Sequence, residues 1–303
     1  MAPAWRRRQA AEWSADPAAT WEWLEAGADR ATKLLLLGTP TSPVTCLRVI
    51  GRSPLAVAFP VGAHPDRFSP CPGTDPGEFA QAVLLASKRA LLVFPFVELS
   101  LVDAVVPRVP GSIVREQAEF LSIPAQEWAA YYARRSKNLR KTIRHAEANF
   151  RGLGSRAAYT VLDGRGTAEV LTEIVRLEGI AHRRATVLAS SQGGFVADVI
   201  RNLDRKAVQT HAVRVDGALV AYLITFRSVR RVLFYTMGFR ADLRSLCLGS
   251  LLFSRAIARA LDHGQEVDLG KGTSFFKERF ADQRAPLAVL IVSSGVGQSA
   301  PRG

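Results

Sequence analysis

The chain is poor in cysteine, histidine and methionine for its length. Its 303 residues include three cysteines, five histidines and two methionines. Three scattered cysteines exclude a disulfide scaffold and a zinc site built on cysteine, and the histidines show no metal-ligand spacing. We therefore expect no metal centre, and a reducing, cytoplasmic location.

Long apolar runs are also missing near the amino-terminal end. The longest stretch there, Leu34–Leu37, is far shorter than the roughly 20 apolar residues that cross a bilayer. Residues 1–12 carry three consecutive arginines but lack the apolar run of a signal peptide. We expect no transmembrane segment.

Acidic residues are scarce beside basic ones. The chain has 40 Lys and Arg against 27 Asp and Glu, a formal charge of +13, while 48% apolar and 22% charged residues are typical of a folded globular protein. Such an excess favours an anionic partner, such as RNA, a phosphorylated cofactor or an acidic lipid surface. The alternative is an arginine-rich protein that is simply basic and soluble.

Nearly half of that excess lies between Arg134 and Arg151, where seven basic residues accompany a single acid, Glu147. On a helical wheel the apolar residues of this stretch share one face and the basic residues gather on the other. We predict an amphipathic helix with one face for a core and one for RNA or another anion, although most charge runs are only solvated. The candidate anion-binding residues are Lys137, Arg140, Lys141 and Arg144.

The first 125 residues mix strands and helices without a recognisable chemical motif. Residues 13–33 suggest one or two short helices, Thr45–Ile50 and Leu55–Val61 a hairpin, Glu78–Lys88 a helix, and Ala90–Val97 a buried strand. We predict an N-terminal α/β half at 1–125, a basic helical connector at 126–155, a second domain at 156–293 and a disordered tail at 294–303.

From residue 207 the pattern predicts a three-stranded antiparallel meander, with Asp216-Gly217 as its first turn. A helix from about Ser250 to His263 follows, and then a strand at Glu266–Gly270, which a right-handed crossover makes parallel to the preceding strand. A helical turn near Thr273–Phe280 and a strand at Ala285–Val292 complete this mixed α/β sheet.

The loop before the predicted helix suits a phosphate, because backbone N–H groups and the helix dipole point there. We expect Gly249 to let the backbone approach a ligand and Ser250 to cap the helix. The other candidate cofactor-binding residues are Gly238, Arg240 and Arg244.

Residues 126–292 resemble the GNAT acyltransferase superfamily, more narrowly its cellulose-biosynthesis acetyltransferase branch, which is related to the Fem-type aminoacyl transferases. The matching segments are Ser136–Lys141 after a Trp128-containing helix, His182–Arg184, Gly217-x-x-x-Ala221, Leu248–Leu252, Asp268–Gly272, and Phe276-Lys277-x-x-Phe280. The resemblance implies a GNAT-like fold, with the first half of the chain as a divergent second copy in tandem.

The resemblance also implies a reaction in which an acyl group passes to an amine on a small molecule or peptide. Backbone N–H groups near Tyr235–Gly238 would polarise the carbonyl and Lys277 would stabilise developing negative charge. Asp268 is the candidate base or amine-orienting group, and Tyr235 a possible proton donor.

Three functions fit these residues. The first is an N-acyltransferase with acyl-CoA as co-substrate. The second is a Fem-like transferase that uses aminoacyl-tRNA, which the charge, the basic helix and a degenerate coenzyme A loop at Ser245–Ser250 favour. The third is a non-catalytic protein of the same fold that binds RNA, another anionic polymer or a membrane surface.

Overall fold

The computed structural model describes residues 4–7, 25, 33–50, 57–60, 68, 70–71, 73–88, 90–181, 197, 199–201 and 207–293. The chain forms two compact units. Unit 1 holds residues 1–119 and 285–303, and unit 2 holds residues 120–284. The predicted helices at 13–33, the motif His182–Arg184 and the predicted tail at 294–303 lie outside the described residues.

Unit 1 contains a mixed β-sheet and helices. Its elements are β1 (Lys33–Gly38), β2 (Pro43–Ile50), β3 (Val57–Pro60), α1 (Pro76–Ser87), β4 (Leu91–Glu98), α2 (Leu99–Val105) and most of β5 (Ile113–Ile123) and of β11 (Gln283–Val292). Strands β1, β2 and β3 are antiparallel, β4 is parallel to β3, and β11 is antiparallel to β4. The predicted hairpin and buried strand are confirmed.

Unit 2 contains the remaining elements. They are α3 (Trp128–Arg134), α4 (Lys137–Gly152), β6 (Ala157–Leu162), α5 (Gly164–Ala181), β7 (Val208–Val215), β8 (Ala218–Arg227), β9 (Arg231–Phe239), α6 (Leu248–Asp262), β10 (Glu266–Lys271) and α7 (Phe275–Phe280). Strands β6 to β9 form an antiparallel meander, and β10 is parallel to β9 and antiparallel to the end of β5. The predicted meander and parallel crossover are confirmed.

The same order of elements occurs twice along the chain. An antiparallel meander, a helix, a parallel strand, a short helix and a final strand run from β1 to β5 and again from β7 to β11. The final strand of each series belongs largely or partly to the other unit, since β11 pairs with β4 and the end of β5 pairs with β10. The predicted mixed α/β fold with two similar halves is confirmed.

The basic stretch is helical with one interruption. Helix α3 ends at Arg134, and Ser136 caps α4 by accepting the N–H of Leu139 at 3.2 Å. Leu139, Ile143 and Ala146 are buried in the core of unit 2, as the helical wheel predicts. The prediction of one continuous helix from Arg134 to Arg151 is wrong, because Arg135 has an extended backbone.

In unit 1 another segment of the chain pairs with the parallel strand β4 beyond the residues that pair with β3. Beyond the paired residues of β3 and β4, Phe68 bridges Val97 and donates its N–H to the carbonyl of Phe96 at 2.9 Å. The N-terminus of α1 is capped by the Asp75 carboxylate, which accepts the N–H groups of Gly77 and Glu78 at 2.7 and 3.0 Å. In this half the backbone of Phe68 thus lies beside the end of β4, and the Asp75 carboxylate caps the start of α1.

No helix in the described part of the chain is both long and apolar enough to cross a membrane.

Candidate active site

Strands β9 and β10 separate after a short parallel stretch. Within the described residues they pair from Arg231 to Leu233 on β9, opposite Glu266 to Asp268 on β10. Beyond Asp268, β10 stays with β5, where Lys271 lies opposite Phe120, and β9 stays with β8 as far as Phe239. We call the resulting gap beside residues 234–239 the slot. It is the divergence of strands that the element order predicts.

A β-bulge at Tyr235 accompanies the separation. Thr225 and Ile224 of β8 lie opposite Phe234 and Thr236, so Tyr235 is an extra residue on β9. Bulges bend a strand and increase its twist, which explains why β9 leaves β10 at this point.

The bulged strand directs backbone groups into the slot. Arg240 donates its N–H to the carbonyl of Val220 at 2.9 Å, so these two residues form a hydrogen-bonded pair. In an antiparallel ladder such pairs alternate with non-bonded ones, whose N–H groups point away from the partner strand. Met237 and Phe239 occupy the non-bonded positions, opposite Leu223 and Ala221. Their N–H groups therefore face the slot.

Helix α6 begins beside the slot and has no side-chain cap. It starts at Leu248, and its N-cap is Cys247, which adopts a left-handed conformation (φ 55°). The first backbone bond runs from the N–H of Leu251 to the carbonyl of Cys247 at 3.1 Å, so the preceding N–H groups have no partner one turn back. An uncapped helix start of this kind attracts anions.

One sequence prediction about α6 needs correction. Ser250 is not the cap, because it lies inside the first turn and is 7% exposed. The Cα of Gly249 faces strand β9: a Cβ there would lie 3.4 Å from the Phe239 ring and 3.5 Å from the Met237 methyl group, which are ordinary van der Waals distances. The approach of a ligand to the backbone at Gly249 stays a prediction.

The two arginines of the preceding loop differ in their surroundings. Arg240 forms a two-bond ion pair with Asp242, at 3.0 and 2.5 Å, which raises the pKa of the guanidinium and lowers the pKa of the carboxyl. Arg244 is exposed, and within the described residues its side chain has no hydrogen bond or ion pair. Arg244 is thus the more available cation near the start of α6.

Asp268 and Lys277 are both fixed at the end of β10. Asp268 is 3% exposed and accepts the N–H of Gly270 at 2.8 Å. Lys277, on α7, donates from Nζ to the carbonyl of Lys271 at 3.1 Å. The backbone N–H of Lys277 also donates to Ser274, the cap of α7. Asp268 is the last residue of β10 that pairs with β9, and Lys277 lies on the helix that follows β10.

Tyr235 lies on the bulge, and its ring packs edge-on against Phe226, with 5.1 Å between centroids. Three residues further along β9, Gly238 lies opposite Tyr222. The Tyr222 hydroxyl donates to the carboxylate of Glu178 on α5, and burial together with that carboxylate raises the pKa of Tyr222. The sequence analysis did not predict this pair. Its signal in the sequence is that Glu178 is an acid on the apolar face of α5, which Leu171 and Ile174 form.

Gly238 should tolerate no side chain. A Cβ at this position would lie 2.7 Å from Cε1 of Tyr222, a fully buried ring. We expect Gly238→Ala to lower the free energy of unfolding by about 1–3 kcal/mol through overpacking. Gly152→Ala, where a Cβ meets nothing within 4 Å, is the matched control and should change stability little. Equal urea midpoints for the two variants would contradict this prediction.

The basic face of α4 lies between two elements that border the slot. Arg279 of α7 donates to Thr142 at 3.0 Å, and Asn149 donates to the carbonyl of Ser245 in the loop before α6. These two contacts are about 10 Å apart along the helix. Of the predicted anion-binding residues, Lys137, Lys141 and Arg144 are exposed, without an ion pair among described residues. Arg140 donates to the carbonyl of Ala133.

A buried histidine on β7 predicts a pH effect. His211 is 2% exposed, its Nδ1 lies 2.6 Å from the Tyr159 hydroxyl, and burial lowers its pKa to about 3. Below pH 6.5, the ordinary pKa of histidine, His211 is protonated in the unfolded chain but stays neutral in the folded chain. The free energy of unfolding therefore falls as pH falls. Between pH 7 and 5, the wild type should lose about 2 kcal/mol more than His211→Gln in urea unfolding. His145→Gln, at an exposed histidine, should leave the wild-type pH dependence unchanged.

The sequence and fold of this region match known proteins. Residues 134–278 match the family described as the acetyltransferase (GNAT) domain. These residues form a GNAT-related domain. The resemblance predicted from the motifs is therefore confirmed at the level of the superfamily. A comparison with curated proteins found no match.

Solved structures share the fold over nearly the whole chain. The C-terminal domain of a candidate lysylphosphatidylglycerol synthetase from Agrobacterium fabrum is 13% identical, with a TM-score of 0.61, over 96% of this chain and 91% of that one. L-PGS from Bacillus licheniformis is 11% identical, with a TM-score of 0.58, over 95% and 90%. FemX is 9% identical, with a TM-score of 0.61, over 89% and 90%. At such identities these comparisons show a shared fold.

Proposed function

We propose that this GNAT-related chain is an N-acyltransferase that moves an acyl group from acyl-CoA to an amine. The observation that carries the proposal is the slot, where β9 continues from Phe234 to Phe239 after its pairing with β10 ends. An extended thioester donor placed there would meet the N–H groups of β9. Its phosphates would meet the uncapped start of α6, near Arg244.

The chemistry follows from these groups. The acceptor nitrogen attacks the thioester carbonyl, a C–N bond forms and the C–S bond breaks. The nitrogen loses a proton to water, and the leaving thiolate takes up a proton. N–H donors from Met237 and Phe239 would stabilise the negative oxygen of the tetrahedral intermediate. We assign Lys277 to the developing negative charge, Tyr235 to protonation of the thiolate and Asp268 to orientation of the amine.

Ligand binding tests the proposal directly. Acetyl-CoA at saturating concentration should raise the melting temperature by about 3 °C or more in both 50 and 300 mM salt, because a ligand that binds only the folded state stabilises it. With acetyl-CoA and a panel of primary amines, thiol release should require an amine. The absence of both effects would refute the proposal.

A second candidate is a transferase that takes its acyl group from aminoacyl-tRNA. It is favoured by the exposed cations Lys137, Lys141 and Arg144, which lie on a helix that borders the slot. Structural likeness to FemX and to the lysylphosphatidylglycerol synthetase domain agrees with this candidate.

Retention of tRNA distinguishes the two donors. If tRNA is the donor, binding should weaken steeply between 50 and 200 mM salt and fall at least tenfold when Lys137, Lys141 and Arg144 are changed to glutamine. Neutralisation of Arg115, Arg165 and Arg230, which are exposed elsewhere, is the matched control. Equal losses in both triple variants would indicate only non-specific attraction and would count against the second candidate.

A further inference from the structure

A buried polar network lies beside the slot, on the other face of the sheet from α6. Tyr222 alternates along β8 with Leu223, which belongs to the core beneath α6, so the Tyr222 ring points to the opposite face. Its hydroxyl donates to Glu178, and the side chain of Thr236 also hydrogen-bonds to it. Tyr222 is 0% exposed and Glu178 is 1% exposed.

The network has a larger free-energy cost of burial than a purely structural contact between apolar side chains would have. Burial of an ionisable carboxylate carries a desolvation penalty that an apolar residue of the same size avoids. Because both side chains are shielded completely, neither can touch a substrate. Any part they play in the reaction must act through the residues that they contact.

Those contacts are with the segment of β9 that lines the slot. Tyr222 packs on the backbone of Gly238, where a Cβ would lie 2.7 Å from the ring, and hydrogen-bonds to Thr236. Thr236 and Gly238 flank Met237, whose N–H points into the slot. This segment has no strand partner in β10 among the described residues, so the network replaces a support that β10 does not give.

We propose that Glu178 and Tyr222 are positioning residues that hold Thr236 and Gly238, and thereby fix the Met237 N–H where it receives the carbonyl oxygen of the acyl donor. This inference rests on the proposed acyl transfer. Because the carbonyl oxygen gains charge only as the reaction proceeds, a displaced N–H should slow turnover more than it weakens donor binding.

The test compares two deletions of a phenol hydroxyl, one from the buried Tyr222 and one from the half-buried Tyr159. Tyr222→Phe removes the bond to Glu178, and Tyr159→Phe removes the matching contact with His211 in the same unit. With acetyl-CoA and the best amine of the panel, Tyr222→Phe should lower kcat about 10- to 100-fold with KM for acetyl-CoA within about twofold. Tyr159→Phe should keep kcat within about twofold, although both variants should lose similar thermal stability.

Glu178 supplies a second pair of variants, which also covers the case in which Tyr222→Phe does not fold. Glu178→Gln keeps an oxygen that accepts from the phenol and should retain most of the wild-type kcat. Glu178→Leu should resemble Tyr222→Phe, with faster hydrogen exchange at the amide of Met237. Equal kcat values for Tyr222→Phe and Tyr159→Phe, in a wild type that turns over, would overturn this inference alone. A wild type without turnover would overturn the proposed function and the inference with it.

Discussion

Replacement of Lys277 by alanine is expected to slow acyl transfer about 100-fold while the melting temperature stays within about 2 °C of the wild type. The ammonium group lies at the end of β10, 3.1 Å from the carbonyl of Lys271. Loss of one group that stabilises charge in a transition state typically costs between 100- and 1,000-fold in rate. Stability should change little, because α7 keeps its cap at Ser274 and its buried Phe280.

The control for this variant removes an exposed lysine of unit 1. Lys88→Ala, at the exposed end of α1, should leave turnover unchanged. If Lys277→Ala retained full activity, the assignment of this residue would be wrong. If Asp268→Ala also left every activity unchanged, a non-catalytic anion-binding protein would be the better description.

The largest expected loss of stability follows from Arg135→Ala, at about 3 kcal/mol. The Arg135 side chain is 10% exposed, forms an ion pair with Asp282, stacks on Tyr131 at 4.5 Å, and donates to the carbonyls of Phe280 and Ala281. Removal of one partner from a buried ion pair strands the remaining charge and carbonyls, which usually costs several kcal/mol. Asp282 keeps bonds to Arg134 and Gln126, and this moderates the loss.

Arg134→Ala is the matched control for this ion pair. The Arg134 side chain also reaches Asp282, at 3.2 Å, but it is 53% exposed, and such surface pairs contribute at most about 1 kcal/mol. Urea unfolding of the two variants should therefore differ by at least 2 kcal/mol. Similar losses in both would mean that the burial of Arg135 has no energetic consequence.

Local patterns predicted much of unit 2. The turn at Asp216-Gly217 has positive φ at both residues. Only a few residue types adopt this conformation easily, so the sequence Asp-Gly predicts the first hairpin. The buried face of α4 follows from a 3.6-residue period, and the parallel strand β10 follows from the length of its crossover. In each case the signal lies within about 30 residues of the chain.

Features that depend on distant residues were not predictable in this way. The bulge at Tyr235 is a mismatch between two strands, and nothing in either strand alone marks it. Strand β5 pairs with β10, well over 100 residues further along the chain. The Glu178–Tyr222 bond joins helix α5 to strand β8, 44 residues further along the chain, and its one sequence signal is the isolated acid on an apolar helix face. Long-range pairing of this kind leaves no local period.

The two halves have a consequence for stoichiometry. Because Phe68 lies beside the end of β4 and the Asp75 carboxylate caps α1 in the described part of the first half, we expect a donor molecule to bind to the second half. A calorimetric titration with acetyl-CoA should then saturate at one molar equivalent. The first half of the chain would then have a structural role, because the end of its strand β5 pairs with β10 of the second half.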